Sequence, residues 1–251
     1  MITEEQTKIV RRNVLETKEL PPEEAVGLTR YFSFPYLGDE IEGSVTLNHQ
    51  RPDENGIRKP IEIIISPKRC DEKTNGLLEG ISSVSSSFLQ LGGPIEEIIE
   101  GLQGKESYSI TWNLAKTIED LARVPDSARR TSTPLPSYGL TTARAFVHDS
   151  VDHPRPLILE AETYKSGQPA SFRIKFSGEE YEPILDAISS IGTRMLEYGM
   201  PFTQLSKALK GITFKPHEIS RDFEGEDRIK SRSILDYSGK WLEHSFGKNF
   251  T

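Results

Sequence analysis

Apolar residues at Leu77, Leu78, Ile81, Val84, Phe88 and Leu89 recur at intervals of three and four, the spacing of an amphipathic helix. Gly92 then sits where a left-handed cap is wanted, and Pro94 suits the first turn of a second helix. Glu96 and Glu97 fall in that turn, at the positive end of the helix dipole, and Gly104 stops the run. The same grammar returns downstream: Ile184, Leu185, Ile188, Ile191, Met195 and Leu196, then Gly199, Pro201, Leu205, Leu209 and Gly211.

The return is a gapless alignment. GLLEGISSVSSSFLQLGGPIEEIIEGLQG lies on PILDAISSIGTRMLEYGMPFTQLSKALKG at an offset of 107, placing Ile81-Ser82-Ser83 on Ile188-Ser189-Ser190. Identities fall on apolar positions, the turn glycine and the helix-start proline together, which reads as an internal duplication. Strand-like runs precede each helix pair: Ile41 to Leu47 and Ile61 to Ile65 in the first copy, and Ala143 to Val147, Leu157 to Thr163 and Ser171 to Phe176 in the second. Phe172, Ile174 and Phe176 alternate with charged residues, as expected of a sheet with one wet face. A further helix closes each copy, over Thr111 to Leu121 and over Ser231 to His244.

These elements predict an α+β fold of two tandem repeats, each an antiparallel sheet packed against two or three helices, related by a pseudo-two-fold axis. The expected organisation is a helical arm over 1–24, a first repeat over 25–124, a linker over 125–139 rich in Pro and Ser, and a second repeat over 140–251. The arm's helix is expected over residues 4–19, with Thr3 and Gln6 spaced as a capping box.

Composition narrows the function classes. The chain has 251 residues, with 38 acidic against 31 basic and a formal net charge of −7, which argues against a protein that coats nucleic acid or an anionic membrane. A single cysteine, Cys70, excludes an intramolecular disulfide, a cysteine-based zinc cluster and an Fe–S centre. No run approaches ~20 apolar residues, and the N-terminus lacks a signal-peptide core, so a cytoplasmic protein without a membrane partner is expected.

The stretch GMPFTQLSKALKGITFKPHEISRDFEGEDRIKSRSILDYSGKWLEHSF resembles the C-terminal region of adenosylcobalamin-dependent (class II) ribonucleotide reductases. The likeness rests on the turn-proline-helix, a short F-x-P strand at Phe214-Lys215-Pro216, then Asp227, Ile229, Lys230 and Ser233 to Tyr237. This domain type is named TSCPD after a motif in its small stand-alone members. The first copy carries a weaker echo of it, Asn113-Leu114-Ala115-Lys116 opening a helix. Where the small members have a cysteine, this chain reads Tyr108-Ser109-Ile110-Thr111. Chemistry resembling that of the reductases needs a thiyl-forming cysteine and a redox pair, three roles that one cysteine cannot fill. The resemblance therefore implies a non-catalytic binding or adaptor protein in deoxynucleotide metabolism, with a ribonucleotide reductase or replication protein as its partner. It also marks Lys230, Arg232, Asp236 and Tyr237 as candidate binding residues on or beside the last helix, whose charged members either orient that helix or contact a partner.

The remaining candidates are read from chemistry. Arg123, Arg129, Arg130 and Arg144, with Tyr138 and Phe146 nearby, make the inter-repeat region locally basic. Arginines interleaved with aromatics suit a nucleotide or single-stranded nucleic acid, which is the alternative function. Cys70 has Lys68 and Arg69 beside it, and flanking cations lower a thiol pKa; a loop cysteine without a histidine nearby is more often incidental. The HDSVDH stretch, with His148 and His153, offers metal-ligand atoms but reads first as a solvated loop, so no metal is expected. No Walker A, Rossmann or G-x-S-x-G pattern is present, so neither a cofactor nor a catalytic residue is expected. The serines at 82, 83, 85, 86 and 87 are expected to permit close packing between the two copies, Ser85 corresponding to Gly192. Similar halves leave open pairing within one chain or in a homo-oligomer.

Overall fold

A computed structural model describes residues 5–7, 26–36, 39–50, 59–104, 109–122, 139–148, 153–176, 181–215, 218–221 and 228–247. The fold is α+β, as the pattern predicts. Strands β1 (Glu5–Thr7), β2 (Val26–Tyr36), β3 (Asp39–His49) and β4 (Pro60–Pro67) form an antiparallel sheet in that order. Helices α1 (Glu72–Gln90), α2 (Ile95–Gln103) and α3 (Ile110–Ala122) follow. In the second half, β5 (Gly139–Val147), β6 (Arg155–Thr163) and β7 (Arg173–Phe176) lead into α4 (Glu182–Glu197) and α5 (Phe202–Leu209). Two short strands, β8 (Glu218–Ser220) and β9 (Arg228–Lys230), then precede α6 (Ile234–Phe246). They complete a second antiparallel sheet of order β7-β6-β5-β8-β9.

Two expectations meet a different structure, and a third lies almost wholly outside the described residues. The described part of the expected N-terminal helix, Glu5–Thr7, is a strand, paired with Gly27 to Thr29 along the edge of β2. That edge presents backbone groups that need partners, and an extended segment supplies them where a helix cannot. Phe214 lies in a loop rather than in an F-x-P strand; its N–H donates to the Arg232 carbonyl, and the strand of that region is Glu218–Ser220. The linker over 125–139 falls outside the described residues, except for Gly139, which opens β5.

Each sheet turns one face inward. Val45, Leu47, Ile63 and Ile65 of the first and Val147, Leu157, Leu159 and Ile174 of the second are buried, while their neighbours along the strands are less so. One continuous apolar cluster joins both halves. At its centre α1 and α4 lie side by side. The Lys73 ammonium sits 4.1 Å from the Tyr181 ring at their N-terminal ends, and Phe88 meets Tyr198 edge-on at 5.5 Å at their C-terminal ends, so the two helices run parallel. α2 packs on α4, and α5 packs on α1. Glycines set the closeness of this assembly: a Cβ on Gly76 would lie 2.1 Å from the Phe214 ring, and one on Gly80 2.5 Å from Leu235.

The helix ends are built alike. Gly92 (φ 87°) and Gly199 (φ 73°) take the left-handed conformation that side chains resist. The N–H groups of Gly92 and Gly93 donate to the carbonyls of Leu89 and Phe88, both at 2.9 Å. Those of Gly199 and Met200 donate to Leu196 and Met195 at 2.9 and 3.0 Å, giving two Schellman motifs.

The serine cluster has a more specific role than close packing. β4 is a sheet edge, and α1 covers it with hydroxyls. Ser86 Oγ accepts from the Ile63 N–H and donates to the Ile63 carbonyl, both at 3.0 Å, and Ser82 Oγ accepts from the Ile65 N–H at 2.9 Å. In the second half, Thr193 Oγ1 exchanges the same pair of bonds with Phe172, just ahead of edge strand β7, at 3.1 and 3.0 Å. Ser189 Oγ accepts from the Ile174 N–H at 3.0 Å. Backbone groups that would stay unpaired under a helix are thus satisfied by hydroxyls. Ser83 Oγ donates across the halves to the Ala208 carbonyl at 2.7 Å, and Ser85 is buried, as close packing expects.

Ser86→Ala should therefore leave the Ile63 N–H and carbonyl without partners and lower stability by about 1–2 kcal/mol. A urea-denaturation midpoint measures the loss. Amide exchange should accelerate at Ile63 in this variant, and at Phe172 in Thr193→Val.

Candidate functional site

The candidate residues fall in two places. Those of the last segment gather at the start of α6. Ser233 is its N-cap, accepting from the Asp236 N–H at 3.2 Å and donating to the Ile212 carbonyl at 2.7 Å. Asp236 stands three residues on, the spacing of a capping box, but its carboxylate reaches further. One oxygen accepts from the Gly211 N–H at 2.9 Å. The other accepts from the Arg232 N–H and Ser231 Oγ, both at 2.9 Å, and from Lys240 Nζ at 2.7 Å. Only 3% of Asp236 is exposed. Burial alone would raise its pKa. That effect is outweighed by Lys240, then by the Arg232 and Gly211 amides and the Ser231 hydroxyl, which together bring it down to about 2.

Asp236 is thus a structural anchor that ties α6 to the turn after α5. Tyr237 beside it is buried in the apolar cluster. Arg232 is exposed, and its backbone, rather than its guanidinium, carries the anchor. Lys230 lies in β9, opposite Glu218 in register.

The second place is the outward face of the second sheet. Along β5, Leu140, Thr142, Arg144 and Phe146 point away from the helices, alternating with the buried Ala145 and Val147. The Arg144 guanidinium stacks 5.2 Å from the Phe146 ring. Arg144 is in register with Ile158 of β6, and Ile158 with Lys175 of β7; the neighbouring row runs Thr142, Glu160, Arg173. Arg123, Arg129, Arg130 and Tyr138 lie outside the described residues, so of the inter-repeat arginines Arg144 alone is placed on this face.

One polar cluster has no signal in the sequence. Glu97 of α2 is 2% exposed; Tyr198 Oη donates to it at 3.1 Å, and Arg194 Nε of α4 lies 3.1 Å from its other oxygen. Arg194 also reaches Glu100 at 3.4 Å and Glu197 at 3.1 Å. This arrangement ties α2 to α4, between elements nearly a hundred residues apart. Glu97 in a first helical turn reads from sequence as a dipole residue, and nothing local announces its partner.

The other candidates resolve simply. Burial raises the pKa of the Cys70 thiol, and the Asp71 carboxylate adds to the rise, so the flanking cations do not activate it. His148 Nε2 lies 2.6 Å from Ser220 Oγ, while His153 is exposed. Among the described residues no three His, Cys, Asp or Glu side chains converge as metal ligands, and no helix is long and apolar enough to cross a membrane. A shallow groove between α5 and α6, lined by Phe202, Thr203, Lys240, Glu243, His244 and Gly247, has its charges engaged: Lys240 with Asp236, and Glu243 with Lys210 at 2.5 Å.

Residues 16–134 match the TSCPD domain, a domain found in ribonucleotide reductase C-terminal regions. The match falls on the first half, with β2 to β4 and α1 to α3, where the sequence carries the weaker echo of that family. No curated protein and no solved structure matches the chain.

The Asp236 anchor carries a pH signature. Its folded-state pKa is lowered from 3.8 to about 2, so the ionised form favours the native state, and that contribution is fully present above about pH 5. As pH falls from about 4 to 2 the chain should lose about 2 kcal/mol through this group. Urea denaturation across that range should show the loss. Asp236→Asn should be less stable at pH 7 and lack this part of the pH dependence.

Proposed function

We propose that this chain is a non-catalytic binding protein built from two TSCPD-type units in tandem, docking on a protein partner in deoxynucleotide metabolism. The observation that carries the reading is the match of residues 16–134 to a domain found in ribonucleotide reductase C-terminal regions. The second half supports the tandem arrangement. It repeats the strand–strand–strand–helix–helix order, the Schellman caps at Gly92 and Gly199, and the hydroxyl clips at Ser86 and Thr193, each 107 residues apart. The packing of α2 on α4 and of α5 on α1 is the reciprocal exchange that a pseudo-two-fold axis generates.

The polar groups most suited to chemistry are committed elsewhere. The Asp236 carboxylate is saturated by four donors, and the Cys70 thiol is shifted away from its nucleophilic form. Work of this protein through its surfaces fits that commitment.

Affinity capture from the native host at moderate salt, followed by mass spectrometry, tests the reading. Recovery of the host's ribonucleotide reductase, reproduced with the two purified proteins, is the expected result. Capture that never contains the reductase or a replication protein, together with no association of the purified pair, overturns it.

A further inference from the structure

We infer that the outward face of β5, β6 and β7 binds single-stranded nucleic acid, with bases stacking at Phe146 and Arg144 and phosphates held by Arg144 and Arg173. This goes beyond the protein-docking reading and stands independently of it.

The first support is the arrangement of planar and cationic groups. Outward residues along β5 are about 7 Å apart, and neighbouring strands about 4.8 Å apart. A chain laid across the face therefore meets Phe146 with its stacked guanidinium, and then the Arg144–Ile158–Lys175 row. An antiparallel sheet backed by helices, with a half-buried ring beside exposed arginine on its outward face, offers a planar group on which an unpaired base can stack. Leu140, at 64% exposure, extends the apolar part of the surface.

The second support is charge. Arg144 and Arg173 are exposed, and neither has an ion-pair partner among the described residues. Carboxylates share the face: Glu160 is held by Lys175 at 2.8 Å, Glu162 lies opposite Leu140 at one rim, and Glu218 lies on β8. Among the described residues the first sheet has no outward arginine. Its outward positions include Glu40, Glu42 and Glu62, and its exposed Tyr31 is covered by Lys68 at 5.0 Å. In a chain with net charge −7, both outward faces carry carboxylates, and it is the exposed Arg144 and Arg173 that suit the second sheet to an anion.

The test is fluorescence anisotropy of a labelled 12-nucleotide single strand titrated with the full chain at 50 and 200 mM salt. The matching duplex and polyglutamate serve as competitors. Saturable binding that weakens with salt is expected. Arg144→Ala with Arg173→Ala should lower affinity at least tenfold and reduce the salt slope by about 1.4. Phe146→Ala should weaken binding about tenfold with the slope unchanged. Tyr31→Ala, on the opposite sheet, should have no effect, and near-ultraviolet circular dichroism checks that each variant is folded. Absence of binding at 50 mM salt, indifference to Arg144→Ala with Arg173→Ala, or preference for duplex overturns the inference. Competition by polyglutamate at equal charge also overturns it and assigns the face to an acidic protein segment. Reductase capture that survives loss of this binding leaves the docking reading intact.

Discussion

The parallel pairing of α1 with α4 is the contact through which the two halves become one molecule. Each helix rests on its own sheet, so neither sheet needs to touch the other for the core to be continuous. Glycines on α1 make room for the second half: Gly80 for Ile188 of α4 and Leu235 of α6, and Gly76 for Phe214. Close packing of this kind tolerates little change in volume, so a single methyl at either glycine must displace a neighbour. The charged cluster around Glu97 and Arg194 then fixes α2 against α4 at the end of the pair where Tyr198 meets Phe88.

Around that seam the polar side chains act as fasteners. Hydroxyls of α1 and α4 satisfy the edge strands they cover, and the Asp236 carboxylate gathers donors from a turn, a loop and its own helix. Each fastener joins elements that hydrophobic burial alone would hold together without specifying their register. The outward sheet faces differ between the halves: both carry carboxylates, and among the described residues the second adds the exposed Arg173 and Arg144, the latter beside the Phe146 ring.

Much of the architecture is legible along the chain. Apolar spacing locates both helix pairs, and alternation locates β3, β4, β6 and β7 closely. β2 carries the same alternation, Phe32 and Phe34 inward with Tyr31 and Ser33 outward, yet it goes unread because Pro35 and the neighbouring glycines resemble a loop. Ser233 and Asp236 have the three-residue spacing of a helix cap, and the structure places Asp236 in that role, orienting α6. The serine run looked like packing because a hydroxyl's partner is invisible when it belongs to a strand two dozen residues away.

The sequence by itself determined the periodic elements, the glycine caps, the absence of a disulfide and the likeness between halves, because each depends on neighbours along the chain or on composition. Tertiary structure alone decided that Arg194 reaches Glu97, that Ser83 bonds α5, and that Arg144 shares a face with Arg173 and Lys175. Those outcomes depend on strand order, register and the angle at which helices meet. Long-range packing sets all three, since backbone groups must find partners and apolar faces must meet.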